Sequence, residues 1–135
     1  MMPASSKGGG ICLAFPDVCK TPILGVPVPI PYPNIGQVSN TDDCVDKVVI
    51  EKKKTVVESS KMARSMGDEP GLQMGLISNK QMDEVNFETY SSKVYAKGKK
   101  ICHLTSMTSH NGGKNANMPA GLQLAPSQTK VLVAT

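Results

Sequence analysis

Apolar positions along this chain fall in short runs, separated by stretches rich in Gly, Asn, Ser and Lys. The sharpest pattern runs from Pro27 to Pro33: proline takes every second position, and Val28, Ile30 and Tyr32 take those between. A polyproline helix repeats every three residues and does not match this period. A β-strand repeats every two. In an extended strand a residue's N–H and C=O point to the same edge. Alternating prolines therefore strip the donors from one edge and leave the other able to pair. The residue before each proline is also driven toward extended geometry. The pattern predicts a stiff edge strand over residues 21–34, open to pairing on one side and closed against aggregation on the other.

The rest of the chain reads as short strands and turns. Residues 11–18 form a short apolar strand, and 35–46, rich in Asp and Asn, a loop. Residues 47–58 predict a hairpin: Val48-Val49-Ile50, a lysine turn, then Thr55-Val56-Val57. The spacing of Met62 and Met66 predicts one short helical turn within 59–66. Gly67-Asp68-Glu69-Pro70-Gly71 is a tight loop with glycine available for positive φ at both ends. Residues 72–77 read as a strand or short helix, 85–90 as a strand, and 93–103 as a second hairpin turning at Lys97-Gly98. Polar turns fill 105–117, and Val131-Leu132-Val133 is a final strand. Residues 1–10 read as a flexible lead-in and 11–135 as a single domain. The two hairpins look like a repeat. Lys47-Val48 matches Lys93-Val94, and Lys53-Lys54 matches Lys99-Lys100 at the same offset. Each leads to a Ser/Met turn, Ser65-Met66-Gly67-Asp68 against Ser106-Met107-Thr108-Ser109, and such a repeat predicts internal pseudo-symmetry.

Composition agrees with this picture. With 135 residues, 39% hydrophobic and no Trp, a thin core must be built from Val, Ile, Leu and Met. Gly and Pro are frequent, which favours a turn-rich β protein. The net charge is +4, with lysines clustered at Lys52 to Lys54 and Lys97 to Lys100. Arg64 is the sole arginine, and aromatics do not interleave with the lysines, so these clusters read as solvated turns and no nucleic-acid surface is expected. No apolar run approaches the ~20 residues of a membrane span, and the Ser/Gly-rich start lacks the apolar centre of a secretory signal. Stable disulfides among Cys12, Cys19, Cys44 and Cys102 are therefore not expected. Free thiols or metal ligands are the reading that remains. Gly8-Gly9-Gly10 has no Lys-Ser/Thr after it and is no phosphate loop. Asp68 and Glu69 read as solvated loop residues. Cys19 with a histidine could mimic a thiol hydrolase pair, but Pro16 and Pro22 flank it rigidly and no cleft is predicted.

Phe15-Pro-Asp-Val-Cys19-Lys-Thr-Pro22, Pro27-Val-Pro-Ile-Pro-Tyr-Pro33-Asn34, Gly67-Asp-Glu-Pro-Gly71 and His103-Leu…Thr108-Ser-His110-Asn111 resemble the PAAR-like domain family, including its DUF4150 or Tox-PAAR-like group. The resemblance runs from about Gly10 to His110. It implies an all-β fold: a small conical domain of short strands and hairpins, here with one short helix at most. It further implies a structural role, not an enzyme: a tip that caps the trimeric VgrG-type spike of a type VI secretion system or related contractile injection system, one chain per trimer. Such tips sharpen the spike for membrane puncture, with transient contact with the target membrane, and many carry or recruit toxin effectors. The chain would sit in the bacterial cytoplasm until loaded, then leave without a signal peptide. An adaptor that mainly docks a separately encoded toxin, through residues 118–135, is the alternative. The family also implies a structural zinc near the point, held by His and Cys. Cys19 matches the family motif, and His110 and His103 are the histidines available. Cys12 is preferred as fourth ligand over Cys102, because Cys102 adjoins His103 and strand neighbours point apart. Cys44 falls outside the motifs. Four protein ligands would leave zinc no open position, so its role would be that of a staple.

Overall fold

The computed structural model describes residues 1–135 apart from the side chain of Lys114. In chain order the strands are β1 (Met2–Pro3), β2 (Ile11–Ile23), β3 (Val26–Gln37), β4 (Thr41–Asp42), β5 (Val45–Ile50), β6 (Lys53–Thr55), β7 (Lys61–Met62), β8 (Val85–Phe87), β9 (Tyr95–Ala96), β10 (Lys99–Lys100), β11 (Met107–His110), β12 (Met118–Ala125) and β13 (Leu132–Val133). Two single 3-10 turns, Val38–Asn40 and Gly113–Asn115, complete the set, and the protein is all-β. Among the described residues no helix is long and apolar enough to cross a membrane.

The proline segment is the outer strand of a seven-stranded sheet ordered β3-β2-β12-β11-β8-β7-β4. Pro27 lies opposite Pro22, a pair that can exchange no N–H bond. Antiparallel pairs alternate between bonded and unbonded, so Val28, Ile30 and Tyr32 are left to bond Thr21, Cys19 and Asp17. The outer edge stays closed until the first odd-numbered residue that is not proline. That residue is Ile35, and its N–H donates to Met66 O at 2.7 Å, with Met66 N returning a bond to Ile35 O at 2.9 Å. This bridge ties the segment after β7 back to β3 and curls the sheet. The strand begins later than expected, because the hairpin turns at Leu24 and Gly25, both at positive φ, and β2 runs on through Pro22.

At the end of the fold away from this turn lie three two-stranded units, β1–β13, β5–β6 and β9–β10. Each unit feeds one residue into a closed cycle of backbone hydrogen bonds. Ser5 N donates to Cys102 O (2.9 Å), Cys102 N to Val56 O (3.1 Å), and Val56 N to Ser5 O (3.0 Å). A second cycle surrounds it: Lys7 N to Lys54 O, Glu58 N to Lys100 O, and Leu104 N to Pro3 O, each 2.9 Å. Ser5, Val56 and Cys102 thus occupy equivalent places about a pseudo-threefold axis, and from them the chain enters β2, β7 and β11 of the large sheet. Two apolar cores flank this ring. One holds Ala4, Val45, Ile50, Val57, Ala96, Ile101 and Val133. The other holds Cys12, Val38, Val56, Met62, Val85, Phe87 and Cys102.

Several expectations are corrected here. Met2 and Pro3 pair with Val133 and Leu132, and Ala4, Ser5 and Ser6 are buried, so residues 2–6 are structural, not a flexible lead-in. Residues 59–66 contain β7 instead of a helical turn. Residues 72–77 are turns that bridge to β2 at Cys19↔Gly75. Residues 118–135 are not a tail: they hold β12, between β2 and β11, and β13, the third side of the ring. In the repeat, the partner of Ser106 is Ser60, not Ser65. Ser60 N donates to Val57 O and Ser106 N to His103 O, while Val57 N donates to Ser60 Oγ and His103 N to Ser106 Oγ.

Candidate functional site

Between the ring and the hairpin turn lies a buried polar cluster, and its geometry starts with a β-bulge. The register of β2 on β3 shifts between Ala14 and Asp17, putting one extra residue into β2. Before the bulge Cys12 and Ala14 are buried; after it Asp17 and Cys19 are. The extra residue resets the alternation and aims both pairs inward. Asp68 arrives from the loop that crosses these strands. A Cβ on Gly67 would stand 2.2 Å from Pro33 O, and one on Gly71 would stand 2.4 Å from Cys19 Cβ. Only glycine lets the loop lie this close and deliver Asp68 between them.

Asp17, Cys19 and Asp68 each offer a ligand atom within 4.8 Å of the other two. All three are fully buried. Amide donors converge on them. Asp17 accepts from Asn34 Nδ2 (2.9 Å), from Asn111 Nδ2 (3.3 Å to Oδ2) and from Asn117 Nδ2. Asp68 Oδ2 accepts from Asn111 Nδ2 (3.1 Å) and Met82 N (3.3 Å), but among the described residues its Oδ1 has no partner. The thiol of Cys19 lies 3.8 Å from Asp17 Oδ1 and 3.7 Å from Asp68 Oδ2. Acceptors outnumber donors, and among the described residues no basic side chain neutralises the two carboxyls. Burial, then hydrogen bonding with Asp17, raises the Asp68 pKa to about 6. Burial, then the Asp17 and Asp68 charges, raises Cys19 to about 12. The thiol is protonated at neutral pH in this state and is not poised as a nucleophile.

His110 stands behind this group. Asn34 spends its Nδ2 on Asp17, so its Oδ1 must accept, and His110 Nδ1 donates to it at 2.8 Å. Nε2 is then the lone-pair nitrogen, accepting from Thr108 Oγ1 at 2.7 Å. Both ring nitrogens are engaged. The ring fits because Gly121 faces it: a Cβ there would stand 2.6 Å from His110 Nε2. Burial lowers the His110 pKa to about 4.

The predicted ligands are therefore dispersed. Cys19 lies in the cluster, and His110 reaches it only through Asn34. Cys12 and Cys102 belong to the second apolar core, where burial pushes Cys12 up to about 12 and Cys102 well above its ordinary value. They behave as small buried hydrophobes. His103 pairs with Ala4 at the ring, its Nδ1 2.6 Å from Leu104 O. Among the described residues no three of Cys12, Cys19, His103 and His110 bring ligand atoms within 4.8 Å, and Asp17, Cys19 and Asp68 do. Cys44 is half-buried at the edge of that core, and all four cysteines are free. The solvated reading of Asp68 is overturned by its complete burial, whereas Glu69 is exposed. The sequence did carry a signal for the missed residues: Asp17, Asn34, Asp68 and Asn111 all lie inside the motif stretches, which converge on this one cluster.

The Asp17, Cys19, Asp68 set fits a divalent cation on two observations. Among the described residues Asp68 Oδ1 is a buried acceptor without a donor, and the group joins two carboxylates to a sulfur with no positive charge from those residues beside them. Zinc takes thiolate and carboxylate ligands at about 2.0–2.3 Å.

The family model described as "Toxin PAAR-like domain" matches residues 10–119. The chain is 32% identical over 128 residues to the DNase toxin Tse7 of Pseudomonas aeruginosa, an alignment covering 90% of this chain and 32% of that protein. The chain thus spans about a third of the length of the curated relative it matches. No solved structure matches it. The expectation that the chain is not an enzyme is corrected by this relative, which is named for an enzymatic activity. A spike-tip or effector-associated role follows from the two matches. On the extent of the family match and the identity to this relative, the chain belongs to the toxin PAAR-like domain family.

Proposed function

We propose that the chain is a delivery tip: its pseudo-threefold end seats on the end of a trimeric VgrG-type spike of a contractile, type VI secretion apparatus, and a toxin activity travels with it. The observation that carries the reading is the double cycle of hydrogen bonds through Ser5, Val56 and Cys102. One chain gains nothing in stability from threefold order as such, but a threefold platform can be met evenly only by a surface of matching symmetry. The opposite end supports the same orientation. There β2 and β3 form a hairpin arm ~40 Å long at ~3.3 Å per residue, flanked by β12 along residues 11–13 and by the 72–77 turns as far as Lys20, and continuing as two strands alone to a fully exposed Leu24. Such an end suits transient contact with a target membrane. The name of the relative makes a DNA-cleaving toxin the favoured cargo class, carried on the same polypeptide or docked separately. Export would then proceed from the bacterial cytoplasm on the spike.

In this reading a divalent ion, zinc by its ligand preferences, is held by Asp17, Cys19 and Asp68. When bound it supplies the positive charge that the carboxyls lack and displaces the thiol proton. The chain's residues do the rest. Asn34, Asn111 and Asn117 orient Asp17, and His110 fixes Asn34. The ion would tie β2 to the 67–71 loop and stiffen the base of the arm.

The test is co-purification of the chain with a VgrG-type trimer, with stoichiometry by native mass spectrometry. One chain per trimer is expected. Failure to form that complex, or three chains per trimer, overturns the reading.

A further inference from the structure

The pseudo-threefold end carries a second symmetric pattern, in side chains instead of backbone. Register aligns the three units residue by residue. Val49 lies opposite Lys54, Tyr95 opposite Lys100, and Leu132 opposite Pro3. Lys54, Lys100 and Pro3 are the acceptors of the outer hydrogen-bond cycle, so Val49, Tyr95 and Leu132 are equivalent about the axis. All three are exposed, at 54%, 53% and 46%. The next residue in each strand, Ile50, Ala96 and Val133, is buried in the first core. The pleat therefore turns one apolar side chain inward and its neighbour outward, three times over. An outward apolar triad at equivalent positions has no use inside the fold.

Charge is placed on the same units. Lys53-Lys54 and Lys99-Lys100 sit at equivalent positions in two of the three, and Lys7 bonds through its backbone to Lys54. Opposite residues of an antiparallel pair share a face, so Lys54 flanks Val49 and Lys100 flanks Tyr95. Among the described residues the ion pairs are Lys61–Glu84, Lys80–Asp83 and Lys130–Glu51, and none uses these lysines. Lys99 Nζ donates only to Ser59 Oγ, at 2.9 Å. The third unit has Met2-Pro3 where the others have their lysine pairs.

Resting on the capping reading above, we propose that the trimeric partner presents, on each subunit, an apolar recess rimmed by carboxylates. Val49, Tyr95 and Leu132 enter the three recesses, and Lys54 and Lys100 meet the acidic rim at two of them. A phosphate polymer would match the lysines but would leave the apolar triad without a role. The apolar contacts set how long the complex lasts, and the lysines set how fast and how salt-sensitively it forms.

The probe is the VgrG-type trimer used to test capping, titrated with the full chain at 50 and 500 mM NaCl. Wild type is expected to lose at least tenfold in affinity across that range. The pair Lys54→Glu with Lys100→Glu should bind at least tenfold more weakly at 50 mM and show a flattened salt dependence. Lys54→Gln with Lys100→Gln should fall between, a control should the reversal beside Glu58 disturb folding. Val49→Ser with Tyr95→Ser should weaken binding at both salts, with a faster dissociation. Thermal melts of each variant separate loss of docking from loss of fold. If wild type binds one per trimer but neither salt nor the lysine pair matters, the acidic rim is refuted while capping stands. If the lysine variants keep full trimer affinity and lose binding to duplex DNA instead, the surface serves a nucleic acid and the proposal fails. If wild type does not bind the trimer at all, the capping reading falls and takes this one with it.

Discussion

The buried cluster sets two opposed pH dependences that single substitutions should separate. His110 has an ordinary pKa of 6.5 and a folded value of about 4. Folding favours the neutral ring, so this contribution is complete above pH 6.5 and is lost as pH falls through about 4. A difference of about 2.5 pKa units corresponds to about 3 kcal/mol at 1.36 kcal/mol per unit. Asp68 runs the other way. Its pKa rises from 3.8 to about 6, so folding favours the protonated acid. That contribution is complete below pH 3.8 and is lost as pH rises through about 6, again about 3 kcal/mol. In metal-free wild type the two slopes oppose one another between pH 4 and 6, and stability should be nearly flat there. Asp68→Asn keeps the shape and removes the titration, leaving His110 alone: stability should then climb by about 3 kcal/mol from pH 4 to 6.5. His110→Gln should do the reverse and decline over the same window. Urea denaturation of the chelator-treated protein at half-unit pH steps measures this. A flat Asp68→Asn profile, or one falling with pH, would refute the assignment of burial as the dominant cause at these sites.

Four further outcomes follow from the same geometry. Gly71→Ala places a Cβ 2.4 Å from Cys19 Cβ and should destabilise by about 1–3 kcal/mol as overpacking, measured by thermal melting. Deleting residues 1–6 removes β1, Ala4 and one corner of the ring, and should abolish cooperative unfolding by circular dichroism. Replacing Pro29 and Pro31 with Thr restores donors on the closed edge of β3, and should produce concentration-dependent association by light scattering without loss of fold. Removing bound metal should lower the melting temperature of wild type more than that of Cys19→Ser, and mass spectrometry should find at most one ion per chain.

How much of this was legible in the sequence depended on whether the signal was local. The proline alternation dictated an edge strand because missing N–H groups act at their own positions, whatever the rest of the chain does. The hairpin turn at Leu24-Gly25 was hidden because Pro22 and Pro27, which flank it, both read as extended. The lysine-tipped repeat was readable at its correct offset, but its third member is split between Met2-Pro3 and Leu132-Val133, at opposite ends of the chain, and no local pattern joins them. β12 was missed because its alternation is inverted. Gln123 is fully buried while Leu122 and Leu124 are exposed, the amide being satisfied by Ala125 O and Ser5 Oγ. The candidate ligand set that the structure brings together, Asp17, Cys19 and Asp68, differs from the expected one for a related reason. Cys19 was marked by its motif, but Cys12, seven residues before it, was set beside it as the preferred fourth ligand. The bulge at Phe15-Pro16 turns both inward, yet at ~3.3 Å per residue they remain ~20 Å apart along the strand.

The symmetry of the ring end and the asymmetry of the cluster answer different demands on one chain. Three separate chains could repeat a unit to the apex, but a single chain must pass from one unit to the next, and the connections have to be housed. Here they lie on the side of the ring away from the two-stranded units, where equivalence stops. From Ser5 the chain runs out along β2 and returns along the proline strand; from Val56 it makes only β7 before the 67–71 loop; from Cys102 it makes β11 and then turns back as β12. Three unequal excursions cannot be packed around an axis by repeating one side-chain set. Bulge, glycine-enabled loop and asparagine cage join them instead, and Asp17, Asn34, Asp68 and the pair Asn111 and Asn117 come from four separate stretches. A change in this cluster should therefore loosen the arm while the ring keeps its hydrogen bonds. Amide exchange on Cys19→Ser would show this as lost protection in residues 17–34 and 66–82, with Ser5, Val56 and Cys102 still protected. Uniform loss across both regions would mean that ring and arm are a single cooperative unit, and that the threefold end does not stand without the cluster above it.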